Sequence, residues 1–170
     1  GIGGNVTVTA ANSIVIDGVN SSISSSTASQ LGAPASGAGG KLSISTPSLT
    51  VDHQGSVTTS SSGTFAAGDL LLQVGNLSLN NGAQVNSSTV NAAGGNVQIT
   101  ASGSVLVSGS ENNKTSGIIS GSSGTGVVGA VTVDAGQLTV TAGGKIQAGN
   151  SALPGGGDVT LHRPGLVALR

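Results

Sequence analysis

The sequence predicts an all-β fold, a right-handed parallel β-helix (β-solenoid) of about six coils, each with three short strands in 27–28 residues. Three observations predict it. First, a glycine, any residue, then an apolar pair at i and i+2 recurs along the chain. The pairs are Val6/Val8, Leu42/Ile44, Leu70/Leu72, Val97/Ile99, Val131/Val133 and Val159/Leu161. Their first members lie 36, 28, 27, 34 and 28 residues apart, and a fixed period of this size marks a stacked repeat. Second, apolar and polar residues alternate within each run, so one face is buried and the other solvated. Third, β-branched residues fill the runs and Gly, Asn and Ser separate them, with no sustained 3.6-residue period to suggest helix.

The pairs just named form the first strand of each coil. A second pair follows 7 or 8 residues later: Ile14/Ile16, Leu49/Val51, Leu77/Leu79, Val105/Val107, Leu138/Val140 and Leu166/Ala168. A third, shorter strand centres on Ile23, Val57, Val85, Ile118 and Ile146. Small polar residues come next, as in Ser24-Ser25-Ser26, Thr58-Thr59-Ser60 and Asn86-Ser87-Ser88, and are read as corners. The two long spacings are loop insertions, near residues 28–38 and at 110–116, which a surface loop absorbs at little entropic cost. One coil buries too few side chains to offset its ordering entropy, so coils must stack at about 4.8 Å per coil. Handedness follows from the general crossover rule alone. Residues 1–170 are read as a single solenoid segment, part of a longer repeat rod.

Composition narrows the function. Charged residues make up 6 % of the chain and the formal net charge is -1. No basic stripe exists to displace counterions from phosphates, so nucleic acid is not an expected partner. No apolar run approaches the ~20 residues of a membrane-spanning helix. Cysteine is absent, which excludes disulfide and thiolate-metal frameworks. Phe65 is the one aromatic, so the core is expected to be thin and filled by Val, Ile, Leu and Ala. The opening residues, Gly1 to Val8, do not form a signal peptide, which points to a processed end or a cut inside a longer protein.

Gly94-Gly95-Asn96-Val97-Gln98-Ile99, echoed by Gly3 to Val8, is followed in the pattern by a Leu-x-Leu step (Leu77 to Leu79) and by Gly-Ala-x-Val-x-Ser-Ser (Gly82 to Ser88). This pattern resembles the internal repeats of filamentous haemagglutinin-like exoproteins, large bacterial surface proteins exported by two-partner secretion. The resemblance runs through six repeats and weakens after Leu161. It implies a rod region rather than the secretion domain, since the Asn-Pro-Asn motifs of that domain do not occur here.

Few residues could carry chemistry. Asp17 and Asp52 fall in one column after the second strand, Asn80 continues it and His53 stands beside it. The residues leave two readings, a cation or catalytic site or a row of turn residues bonding their own backbone, and the second is preferred. The column Asn5, Lys41, Asp69, Asn96, Ala130 and Asp158 is read as a structural amide-and-charge ladder at a corner, in which Lys41 and Asp69 of neighbouring coils can pair. His53 and His162 lie in different columns, so no metal site is expected from them. Thr7, Ser43, Leu71, Gln98, Thr132 and Thr160 form an outward column that Leu71 and Gln98 interrupt, which counts against an ice-binding array. Asn-x-Ser/Thr occurs at Asn5, Asn20, Asn76, Asn86 and Asn113, and Asn113 is the most accessible candidate for glycosylation.

The insertion at Ser110–Ser116, with Glu111, Asn112, Asn113 and Lys114, is expected to stand off the rod. It is the candidate partner-contact loop, the alternative being a plain surface loop. The expected function is non-catalytic: an adhesin-like rod segment of a secreted or surface-exposed bacterial protein, without cofactors. Its expected partners are host-cell or surface glycans or proteins. Self-association through open coil ends into an extracellular fibre or matrix is the alternative, and a polysaccharide-processing enzyme a more distant one.

Overall fold

The computed structural model describes residues 2–27, 37–152, 155–162 and 167–169. Strands follow in the order β1 (Val6–Thr9), β2 (Ser13–Asp17), β3 (Ser22–Ser24), β4 (Leu42–Asp52), β5 (Ser56–Ser61), β6 (Leu70–Asn80), β7 (Gln84–Thr89) and β8 (Val97–Ser108). They continue as β9 (Ser110–Glu111), β10 (Lys114–Thr115), β11 (Gly117–Ser122), β12 (Val131–Thr141), β13 (Lys145–Asn150), β14 (Val159–His162) and β15 (Val167–Leu169). No helix occurs among the described residues. The fold is all-β, largely parallel and solenoid-like.

One sheet runs β1-β4-β6-β8-β12-β14, with β2 also on β4 and β15 also on β12; the other runs β13-β11-β7-β5-β3. Every ladder in both sheets is parallel and joins equivalent strands of successive repeats. The register matches the repeat alignment: Val6 opposes Leu42, Leu42 opposes Leu70, Leu70 opposes Val97, Val97 opposes Val131, and Val131 opposes Val159. The third-strand column Ile23, Val57, Val85, Ile118 and Ile146 is likewise continuous. Alternation explains this, because a one-residue slip would turn every buried side chain to solvent.

The inward residues of both sheets meet in one core of Leu, Ile, Val and Ala, with Leu42, Leu49, Leu72, Leu79, Val57 and Val85 fully buried. Phe65 is 43 % exposed, so no aromatic enters it.

Two expectations need correction. The first and second strands of a repeat are not separate in the middle of the chain. β4, β6, β8 and β12 are single bent strands of 11 or 12 residues. The ladder survives the bend with a register irregularity between Val74 and Leu77 and another between Ala135 and Gln137. Glycine permits this at the bend, since a Cβ at Gly75 would collide with the Pro47 carbonyl oxygen. The second correction concerns the last repeat. Val167 and Leu169 oppose Leu138 and Val140, and Ala168 opposes Thr139, so the expected Leu166/Ala168 frame is off by one. The Leu-Val-Ala-Leu run fits either phase, and the observed one puts Val167 and Leu169 in the column of Leu138 and Val140, where at the end of the sheet they stay exposed. Leu166 itself, and most of the insertion near 28–38, lie outside the described residues.

Candidate functional site: the charged turn ridge

Three of the four long strands of the first sheet, β4, β6 and β12, end in a tight turn. In Asp52-His53-Gln54-Gly55 the Gly55 N–H donates to the Asp52 carbonyl at 2.8 Å. The same bond closes Asn80 to Ala83 at 3.0 Å and Thr141 to Gly144 at 2.9 Å. Both central residues take positive φ in all three: His53 and Gln54 (44° and 65°), Asn81 and Gly82 (48° and 80°), Ala142 and Gly143 (50° and 83°). That is the pattern of a type I′ turn, which favours Asn and Gly. His53 and Gln54 are neither; His is among the side chains that adopt this region more often, whereas Gln is not.

The side chains around this strained turn form the principal charge cluster. Asp17 and Asp52 are direct cross-strand partners, as their shared column predicts. The His53 imidazole lies between them, with Nδ1 2.8 Å from Asp17 Oδ1 and 3.5 Å from Asp52 Oδ1. Asp52 Oδ1 also accepts the His53 backbone N–H at 2.7 Å and Asn81 Nδ2 at 2.9 Å. Asp52 does bond local backbone, but the space between the two acids is spanned by a ring from the following residue. The Asp17 hydrogen bond, and next the Asp52 charge, raise the His53 pKa above its ordinary 6.5, while partial desolvation opposes the rise. Among the described residues, no group of three or more His, Asp or Glu side chains is arranged to hold a metal ion.

The insertion at 110–116 joins this ridge instead of standing off it. β9 and β10 pair antiparallel, Glu111 opposite Lys114, across a turn in which Asn112 and Asn113 take φ of 48° and 64°. Lys114 Nζ donates to the Gln54 carbonyl at 3.2 Å, and Gln84 Nε2 donates to the Thr115 carbonyl at 3.2 Å. The Gly82 N–H donates to Ser116 Oγ at 3.0 Å. Asn112 and Asn113 remain exposed while Glu111 and Lys114 are half-buried. The physical reason is that the short hairpin offers amide and charged groups at the height of the turns below, which have unpaired polar groups to receive them.

Other predicted contacts sort differently. No ion pair joins Lys41 to Asp69. Their column is a partial ladder in which three side chains accept the backbone N–H one repeat on: Asn5 Oδ1 from Lys41, Asp69 Oδ1 from Asn96, and Asn96 Oδ1 from Ala130, each at 2.9 Å. Asn76 Oδ1 accepts both the N–H and Oγ–H of Ser104 at 2.9 Å. Of the glycosylation motifs, Asn5, Asn76 and Asn86 have their amides engaged, whereas Asn20 and Asn113 are exposed at positive φ. His162 opposes Asp134 at the far end of the sheet, remote in register from His53.

A feature missed at the sequence level lies inside. Thr59 and Ser87 both donate to the Gly68 carbonyl, at 2.7 and 2.9 Å, and Ser120 donates to Gly95 at 2.9 Å. All three are fully buried. The signal was present as a hydroxyl two residues after Val57, Val85 and Ile118, where period-2 alternation demands an inward side chain.

Comparison of the chain with protein-family models, curated proteins and solved structures found no match.

Proposed function

We propose that this chain is a non-catalytic rod segment, a right-handed β-helix of about six coils, in an adhesin-like protein that a bacterium secretes or displays on its surface. One observation carries this reading: equivalent strands of successive repeats stack in parallel ladders along both sheets, so each repeat adds length and surface. The outward positions support it, being small, polar and mostly uncharged. The groove along the strand bend, about 530 Å³, is lined by uncharged groups such as Thr46, Pro47, Gln73, Val74 and Thr100. The resemblance of the repeats to filamentous haemagglutinin-like exoproteins supports the same reading, with glycans or proteins of a cell or surface as partners.

A second reading, end-to-end self-association into a fibre or matrix, has its own observation. Val159, Leu161, Val167 and Leu169 on the outermost strands are 43 %, 39 %, 39 % and 71 % exposed. Exposed apolar strand edges are covered by further strands, whether from more repeats or from a second copy.

Purified chain tested for saturable binding to whole cells and immobilised polysaccharides separates the readings. Saturable binding by monodisperse chain supports the adhesive rod. Concentration-dependent fibres with no surface binding support the matrix reading and defeat the first.

A further inference from the structure

Asn81-Gly82 is the one Asn-Gly step in the chain. At such a step the backbone nitrogen attacks the preceding side chain most readily, because glycine has no Cβ to obstruct the approach. The pair forms the centre of the turn after β6, with φ of 48° and 80°. Both reacting groups are held. Asn81 Nδ2 donates to Asp52 Oδ1 at 2.9 Å, one repeat back. The Gly82 N–H donates to Ser116 Oγ at 3.0 Å. Ser116 is fully buried, and its own hydroxyl donates to the Ser108 carbonyl at 2.7 Å, which leaves a lone pair fixed on Gly82.

The β9–β10 hairpin also packs against the atoms that ring closure must move. Closure swings the Gly82 nitrogen toward Asn81 Cγ by rotation about the Asn81 Cα–C bond. Gly82 is buried, and a Cβ on it would meet the Lys114 carbonyl oxygen at 2.9 Å, Gln54 Cγ at 3.0 Å and the Glu111 nitrogen at 3.4 Å. The swing therefore breaks the bond to Ser116 and shifts the hairpin.

We propose that Asn81 is a latent deamidation site, kept shut by Ser116 and by Asp52. When the hairpin lifts, the Gly82 nitrogen gives its proton to solvent base and bonds to Asn81 Cγ. The Cγ–Nδ2 bond breaks, and the leaving nitrogen takes a proton from water and departs as ammonia. Water then opens the succinimide at either carbonyl and leaves aspartate or isoaspartate at position 81. The net reaction turns an amide and water into a carboxylate and ammonium. The product cannot restore the latch. A carboxylate at position 81 has no proton to donate to Asp52 and repels it. The isoaspartate form also adds a backbone atom to the turn that the Ala83 N–H to Asn80 carbonyl bond closes at 3.0 Å. Modification is therefore a one-way release of the hairpin.

Peptide mapping by mass spectrometry follows conversion at position 81 in the full chain, aged at one mildly alkaline pH either folded or in guanidinium chloride. Conversion is expected to be much slower in the folded chain. In folded Ser116→Ala it rises about tenfold, a factor that the loss of one buried hydrogen bond supports. Asp52→Ala frees the amide but leaves the Gly82 N–H bonded, and as the second variant it rises about threefold. Slow trypsin cleavage after Lys41 and Lys145 verifies that each variant is folded. Cleavage after Lys114 rises with the fraction converted, because a residue held in the hairpin must lift before it is cut. Equal conversion of the native chain with and without denaturant overturns the proposal. So do folded variants that convert at the native rate.

Discussion

Thr59 and Ser87, one repeat apart, donate to the same carbonyl oxygen of Gly68, while Ser120 serves Gly95. A buried carbonyl that loses its donor costs about 1–3 kcal/mol. Ser120→Ala is therefore expected to destabilise the chain by about that amount, and Ser87→Ala by less, because Thr59 still satisfies Gly68. Urea denaturation midpoints of the two variants check the order. At His53 the expectation concerns pH. Its folded pKa is raised above 6.5, so its contribution to stability is fully present below the unfolded value and fades as pH climbs through the folded one. Melting temperature should fall from pH 6.5 upward in the native chain and fall less in His53→Asn. The column of Asp17 and Asp52 was legible from spacing alone. The ring between them was not, because its direction depends on the positive φ of the turn at His53 and Gln54, which spacing does not record.

The turns show how one element accepts different residues at unequal cost. Gly82 and Gly143 both sit at positive φ. A Cβ at Gly143 meets nothing within 4 Å, whereas at Gly82 it would come within 2.9 Å of the Lys114 carbonyl oxygen. Gly143→Ala should cost the conformational penalty alone, about 1–2 kcal/mol. Gly82→Ala should cost more, and should also raise the trypsin rate at Lys114 by displacing the hairpin. Chemical denaturation of both variants checks the difference. The strands were legible as apolar pairs. Their fusion into single bent strands was not, since Pro47, Gly75 and Gly136 at the bend read locally as breakers. Ladder bonds to the neighbouring repeats carry the strand through, and these are tertiary contacts.

Across the whole molecule, burial falls from the middle outward. Leu72, Leu77 and Leu79 on β6 are buried, whereas Val6 and Val8 on β1 are half-buried and Val159 and Leu161 on β14 exposed. β6 is covered by β4 and β8, and β8 by β6 and β12. In a stacked repeat each unit is held by its neighbours, so local opening should cost most at the centre. Amide hydrogen exchange is expected to be slowest in β6 and β8 and fastest in β14 and β15. Leu77→Ala should cost about 2–5 kcal/mol, and Val6→Ala clearly less. Uniform exchange along the chain would contradict a stack held by neighbour contacts.

The sequence by itself determined the all-β class, the period and, outside the last repeat, the register, because alternation and repeat spacing are local properties that each unit carries in its own residues. The column of paired acids and the amide ladder at the corners follow from the same alignment. Only the tertiary structure decided where the insertion at 110–116 comes to rest, that Lys114 contacts Gln54 and not a distant partner, and that His53 stands between Asp17 and Asp52. Those contacts join residues up to 60 positions apart. Their geometry depends on turn backbone and stacking height, which no period in the residues records.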